Sequence, residues 1–205
     1  MVTLGVTYHV VMVVSDPRWV WYGGRPSLDF VNTHRDREGA GVEHLNGPGD
    51  LADWLQAADE LPAASAGIDA DLLADAIELR EAINAGVVAA IDGKPAPAEA
   101  LQVLNRWLAS AAPKPSRLRN TGGRTVLNAA TVERADTRQT LGYLALDAAQ
   151  LIGTDLRTRL RICPGEHCGG RFLDDSPAAR RRWCSMQVCG NRFKAAIHRK
   201  RQQRA

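Results

Sequence analysis

Four cysteines fall in the last quarter of the 205-residue chain as two matched pairs. Four residues separate Cys163 from Cys168, four separate Cys184 from Cys189, and fifteen lie between the pairs. Zinc takes four soft ligands in a tetrahedron, and two short loops a hairpin apart can supply them. The first pair brackets Pro164-Gly165-Glu166-His167, a turn-forming run that can aim both sulfurs at one point. The second pair sits in Trp183-Cys184-Ser185-Met186-Gln187-Val188-Cys189, where a helix is expected to begin. With all four positions filled by cysteine, one Zn2+ would be structural, with no vacant position for a substrate. Two disulfides or four buried free thiols are the alternatives; an inferred reducing location disfavours the first and the matched spacing disfavours the second. His167 could replace one cysteine as a ligand. A segment this small cannot bury enough apolar surface by itself, and metal binding contributes about 10–16 kcal/mol in comparable modules.

Cations follow the second pair on a helical pattern. Arg192, Lys194, Arg199, Lys200, Arg201 and Arg204 radiate from one surface, while Met186, Phe193 and Ile197 recur on another, suited to packing against Phe172 and Trp183. Arg180-Arg181-Arg182 precedes the second pair. Residues 176–205 hold nine Lys/Arg and no Asp/Glu, against seventeen basic and twenty-three acidic residues elsewhere, so a tail of +9 extends from a body of −6. Such asymmetry points to a polyanion contacted by the tail. A rigid helix carrying arginines suits the DNA major groove, where Arg bonds guanine at two points and the other cations bind phosphate. The candidate nucleic-acid contacts are Arg180, Arg181, Arg182, Arg192, Lys194, Arg199, Lys200 and Arg201. A solvated charged terminus is the plainer reading, and His198 reads as a surface residue.

The elements ahead of the cysteines must carry this module. Hydrophobic residues make up 45% of the chain, mostly alanine, leucine and valine, which favours helices around a real core. The apolar run Val2 to Val14 is too short to span a bilayer and lacks the features of a secretory signal. Its alternation (Leu4, Val6, Tyr8, Val10, Met12, Val14) suits a strand, or an extension upstream of a later start. Leu28 to Thr33 reads as a strand or the first turns of a helix, and His34 to Gly49 as a loop. Asp50 is an N-cap for a helix through Leu61, stopped by Pro62. Asp69 caps a long helix with Leu72, Leu73, Ala76, Leu79, Ile83, Val87 and Ile91 on its stripe, ended by Gly93. Pro97 opens another, with Leu101, Leu104 and Leu108 buried, closed by Pro113 and Pro115. Thr121-Gly122-Gly123-Arg124 predicts a hairpin turn within Arg117 to Arg134. Asp136 and Gln139 resemble a capping box opening a helix to about Ile152 that buries Leu141, Leu144, Ala148 and Leu151.

Asp29, Asn32, Thr33 and Arg80 are the polar residues of interest in that body. Converging in an apolar cleft, they could bind a small ligand. The alternative is that Asp29 and Asn32 cap local backbone and Arg80 pairs with a carboxylate. No nucleophile–base arrangement or phosphate loop is visible, so an enzyme is not the expectation.

The pair Cys163 and Cys168, then Phe172, Asp174 and Ser176, Arg182-Trp183-Cys184-Ser185-Met186, Cys189-Gly190-Asn191-Arg192 and Lys194 resemble the signature of the CGNR zinc-finger family, over about Leu160 to Arg201. In that family the finger follows a mostly helical N-terminal domain called ABATE, and Gly23-Gly24 with Leu28-Asp29-Phe30-Val31-Asn32-Thr33 resembles its opening motif. The resemblance implies a stress-induced bacterial transcription regulator with a DNA-binding finger and a sensory body. Residues 1–22 lie outside it, and Pro177-Ala178-Ala179 stands where a more polar stretch is expected.

The expectation is thus a mainly α chain with a small β-hairpin: a leader at 1–22, an ABATE-like helical domain at 23–155, and a treble-clef-like four-cysteine finger with a basic helix at 156–205. It is read as a zinc-dependent, duplex-DNA-binding regulator of the cytoplasm and nucleoid, with no membrane partner. A small-molecule effector and a homodimer are open to it. An RNA- or ribosome-associated module and a thiol redox switch are the rival readings.

Overall fold

The computed structural model describes residues 18–58, 67–111, 117–122, 124–128 and 136–202. The alternating run Val2 to Val14, the stop at Pro62, the prolines 113 and 115, and Arg204 lie outside the described residues. Among the described residues six α-helices carry the fold: α1 (Pro26–Val31), α2 (Pro48–Ala57), α3 (Ala70–Ile91), α4 (Ala98–Leu108), α5 (Thr137–Gly153) and α6 (Asn191–Gln202). Three antiparallel two-stranded ribbons accompany them: β1 (His34–Arg35) with β2 (Val42–Glu43), β3 (Arg117–Thr121) with β4 (Arg124–Asn128), and β5 (Leu160–Ile162) with β6 (Arg171–Leu173). No helix among the described residues is long and apolar enough to cross a membrane.

The short helix α1 is the hub. Leu28, Phe30 and Val31 are fully buried, and α3, α5 and β6 pack around it. Phe30 meets Trp54 of α2 at 4.9 Å between ring centroids, and Trp21 stacks on the other side of Trp54 at 5.7 Å. A helix this short cannot hold itself together. Its N-terminus has no cap of its own, and Asp147 of α5 supplies one by accepting the Ser27 N–H at 3.0 Å and the Arg25 Nε–H at 2.7 Å. Asp29 reaches back to accept the Gly23 N–H at 2.7 Å. A Cβ on Gly23 would lie 2.9 Å from the Asp29 backbone nitrogen, so only glycine permits this closure.

Local capping chemistry sets two of the longer helices. Asp69 accepts the Leu72 N–H at 2.8 Å at the head of α3, and Asp136 accepts the Gln139 N–H at 2.6 Å at the head of α5. The α3 residues Ala76, Leu79, Ile83 and Val87 are fully buried, as are Leu141, Leu144, Ala148 and Leu151 of α5. Two sequence expectations are displaced. Asp50 is not the N-cap of α2: the helix starts at Pro48, whose fixed φ suits a first turn, and Asp50 bonds back to Gly47 N–H at 3.0 Å. On α4, Leu101 is 44% exposed, because the larger Trp107 turns Ala100, Val103, Leu104 and Trp107 inward.

The β5–β6 ribbon joins the two parts of the chain. Its register sets Leu160 opposite Leu173 and Arg161 opposite Phe172. Alternate residues on β6 point to opposite faces. Leu160 and Leu173 therefore complete the core of the helical body, while Phe172 joins Trp183, Cys163, Cys184 and Cys189 in a second small core.

Candidate metal centre

Each cysteine pair is presented by its own backbone device. Cys163 and Cys168 occupy the tip of the β5–β6 ribbon, closed by Cys163 N–H to Gly170 O at 2.9 Å and Cys168 N–H to Gly165 O at 3.0 Å. Cys184 precedes, and Cys189 lies within, a π-helical turn, Met186–Gly190, that leads directly into α6. Ser185 caps that turn by accepting the Val188 N–H at 3.2 Å. A hairpin tip and a helix start thus face each other, as the spacing implied.

The four Sγ atoms lie within 4.8 Å of one another, the one such group among the described residues. Cys168 Sγ is 3.6 Å from Cys184 Sγ, and Cys184 Sγ is 3.7 Å from Cys189 Sγ. Zinc–sulfur bonds of about 2.3 Å in a tetrahedron give edges of about 3.8 Å, so the donor set fits zinc. None of the four is in a disulfide. Hydrogen bonds from Cys168 and Cys184 draw the Cys163 thiol down to about 2. The mirror-image interaction with Cys163 and Cys168 drives Cys184 up, and burial pushes Cys189 up to about 12. Thiols this close ionise at one another's expense, a conflict that a divalent cation relieves. His167 stands apart, its side chain 73% exposed and its Nδ1 turned to Asp36 Oδ2 at 3.4 Å.

Asp174 orders the connection between the pairs. It is fully buried and accepts from the Arg181 N–H at 2.8 Å and the Ser176 N–H at 3.1 Å. Burial pushes its carboxyl up, but the Ser176 hydroxyl and these backbone donors outweigh it and hold the carboxyl below its ordinary value. Arg181 is also structural: it lies over the Phe172 ring at 5.1 Å, donates to the carbonyls of Trp183 and Cys184, and pairs with Asp175 at 3.2 Å. Its neighbour Arg182 covers Trp183 and Phe193 at 4.9 and 5.2 Å.

The described region thus holds a helical body from 24 onward and a cysteine module on its far side. The family ABATE, described as "Putative stress-induced transcription regulator", matches residues 24–155. The chain belongs to the ABATE family. The CGNR zinc finger matches residues 159–202. No curated protein matches the chain significantly.

The finger is bolted to the ABATE body through α1 and the loop after it. Asn32 makes two bonds to one residue of β6: its Nδ2 donates to Arg171 O at 2.9 Å and its Oδ1 accepts Arg171 N–H at 2.8 Å. Leu173 N–H reaches Gly23 O at 2.8 Å, and Asp36 N–H reaches Cys168 O at 3.1 Å. Buried Arg171 pairs with Glu38 at 3.1 Å. Gly23-Gly24 and the Asp29–Thr33 stretch, the opening motif of the ABATE family, are therefore the surface that receives the finger. Arg171, Glu38 and Asp36 carried no positional signal that would single them out, since each acts at the junction through a partner distant in sequence, whereas Asp174 stood in the finger's signature without its role being readable.

The four polar body residues do not meet around one cleft. Asp29 and Asn32 hold the bonds just given. Thr33 Oγ1 donates to Phe30 O at 2.7 Å and lies 3.2 Å from Arg80 Nη1. Arg80, 1% exposed, grips Glu43 with two bonds of 2.6 Å and Glu81 with one of 2.8 Å. Burial pushes both carboxyls up, yet the Arg80 bonds hold Glu43, and the Arg37 bonds hold Glu81, below their ordinary value of 4.5. Depressed carboxylate values contribute stability above 4.5 that is lost as pH falls through the folded values. Arg80→Met is expected to cost about 2 kcal/mol, because the stranded carboxylates keep some access to water. Urea unfolding at neutral and acid pH should show that the difference between Arg80→Met and the parent shrinks below pH 4.5.

Helix α6 projects from the cysteine module with none of its residues buried. Met186, Phe193 and Ile197 were expected to pack inward; they are 52%, 39% and 38% exposed, with Phe193 meeting Trp183 at 4.9 Å between ring centroids. The hairpin is too short to cover a second side of the helix. Arg180, Arg182, Arg192, Lys194, Arg199, Lys200 and Arg201 are all exposed. Of the eight candidate contacts, Arg181 alone is in an ion pair among the described residues.

Proposed function

We propose that the chain is a zinc-dependent, DNA-binding transcription regulator, acting in the cytoplasm on the nucleoid. Cys163, Cys168, Cys184 and Cys189 hold one structural zinc. The exposed cations of the 180–182 turn and of α6 contact duplex DNA, and the ABATE body at 23–155 senses a small ligand or pairs with a second copy. The observation that carries this reading is the mounting of α6. A helix whose five surface arginines and lysines form no ion pair among the described residues starts from the four-cysteine turn, so the metal would fix the direction in which those charges point. A free-standing helix of this length is marginal in water, and only such an anchor makes it a rigid probe for a groove.

Duplex binding should be strong and salt-dependent, with each lost phosphate contact reducing the slope of log K against log salt by about 0.9. Fluorescence anisotropy with labelled duplexes is expected to show Arg199→Ala and Arg192→Ala weakening binding without loss of zinc. Arg181→Ala should instead disturb the finger itself, because its bonds run to Trp183 and Cys184. RNA duplex competing better than DNA at equal salt would overturn the DNA reading in favour of an RNA module.

A further inference from the structure

The four cysteines are not equally protected. Cys163, Cys184 and Cys189 are 2%, 3% and 4% exposed, while Cys168 is only half-buried. Cys168, Cys184 and Cys189 all line a cleft of about 120 Å³ at the junction of body and finger, with Val20, Tyr22 and Arg35 on one side and Val188 and Arg192 on the other, and of these three sulfurs only that of Cys168 belongs to a residue left half-buried. The cleft has room for a molecule the size of a few waters. Two guanidiniums line it. Arg35 donates to the Arg18 carbonyl and Arg192 to the Glu166 carbonyl at 3.0 Å, and neither has a carboxylate partner among the described residues. The Nε of Arg35 is buried with no partner. An accessible sulfur beside unneutralised cations is the environment in which a thiolate reacts with small electrophiles.

We infer that Cys168 is the oxidisable edge of the zinc–thiolate core, open through this junction cleft to hydrogen peroxide or a hydroperoxide of similar size. The inference rests on the zinc reading above. The Cys168 thiolate attacks one peroxide oxygen, the O–O bond breaks, and hydroxide leaves to become water on protonation, giving a sulfenic acid. Cys184, with its Sγ 3.6 Å away, then attacks the oxidised sulfur. A Cys168–Cys184 disulfide forms and the sulfenic oxygen leaves as a second water after protonation. Two thiolates have lost two electrons and one peroxide has gained them, with two protons taken from solvent. Zinc is left with two of its four ligands and departs. The turn that starts α6 ends at Cys189 and Gly190, so loss of the metal unseats the basic helix. Asp36 N–H bonds to the Cys168 carbonyl, so the same event reaches the ABATE body.

The test uses the full chain, with zinc content measured first by metal analysis. Peroxide is added, zinc release is followed with a chromogenic chelator, and the oxidised cysteines are mapped by differential alkylation and mass spectrometry. The expected result is release of zinc in step with peroxide consumed and a Cys168–Cys184 linkage as the first product. Gly170→Ala probes access, since its methyl would enter the cleft 3.4 Å from Cys168 Sγ, in van der Waals contact, while all four cysteines stay in place. It is expected to slow release severalfold at unchanged zinc content. Zinc retained under excess peroxide, or a first disulfide that excludes Cys168, would overturn the inference and leave the zinc reading standing. A chain purified without metal would overturn the zinc reading and the inference together.

Discussion

Removing zinc with a high-affinity chelator is expected to melt the finger and to lower the melting temperature of the helical body as well. The first part follows from size. Phe172, Trp183 and three buried cysteines are nearly the whole of the finger's own core, with Tyr22, Cys168 and Val188 packed at its edge. Apolar burial on that scale does not offset the entropy of ordering some forty residues, and the metal would supply about 10–16 kcal/mol. The second part follows from shared strands. Leu160 and Leu173 belong to the body's core but are held in register by the ribbon whose tip carries Cys163 and Cys168. Circular dichroism melts with and without chelator, and after zinc is restored, would check this. Cys184→Ser should reproduce the chelated state. Coincident melts for holo and stripped protein would sink the structural role of the metal.

Asn32→Leu is expected to destabilise the chain by about 2–5 kcal/mol, the second largest effect. The substitution is close to the asparagine in size, so it creates no large cavity. It strands the N–H and C=O of Arg171 in a buried setting, where each unsatisfied group costs about 1–3 kcal/mol. Asn32→Asp should be costly as well at neutral pH, because it keeps the acceptor for the Arg171 N–H but turns a buried carboxylate oxygen toward the Arg171 carbonyl. Urea unfolding gives the free energies, and limited proteolysis between residues 156 and 175 shows whether the ribbon has come away from α1. An Asn32→Leu chain as stable and as protease-resistant as the parent would mean that the other junction contacts, Leu173 with Gly23, Asp36 with Cys168 and Arg171 with Glu38, suffice to hold it.

Together these outcomes would establish how the two parts of an ABATE chain communicate. The opening of the body, Gly23-Gly24 through Thr33, seats the finger, with Asp29 closing the turn at Gly23 and Asn32 clasping β6. Any change that moves α1 would be felt at the hairpin tip through Asp36 and Cys168. A ligand or a second copy that displaced α1 would therefore act on the orientation of α6.

What the sequence by itself determined is what depends on neighbours along the chain. Asp69 and Asp136 cap the helices that follow them because a side chain reaches a backbone N–H three residues on whatever the rest of the fold does. The apolar stripes of α3 and α5 were readable for the same reason, and so was the pairing of cysteines at loop-like intervals. The nearest misses were also local: Pro48 outcompeted Asp50 for the start of α2, and Trp107 outweighed Leu101 in choosing the face of α4. Only the tertiary structure decided that Asn32 meets Arg171 from 139 positions away, that Asp147 caps α1 from 120 positions away, and that Asp174 orders the path between the cysteine pairs. It likewise decided which of four chemically identical cysteines is left half-buried and which of the described C-terminal cations is spent inside the finger. Exposure and partnership of that kind are set by which surfaces close over a residue, and periodicity along a chain carries no record of them.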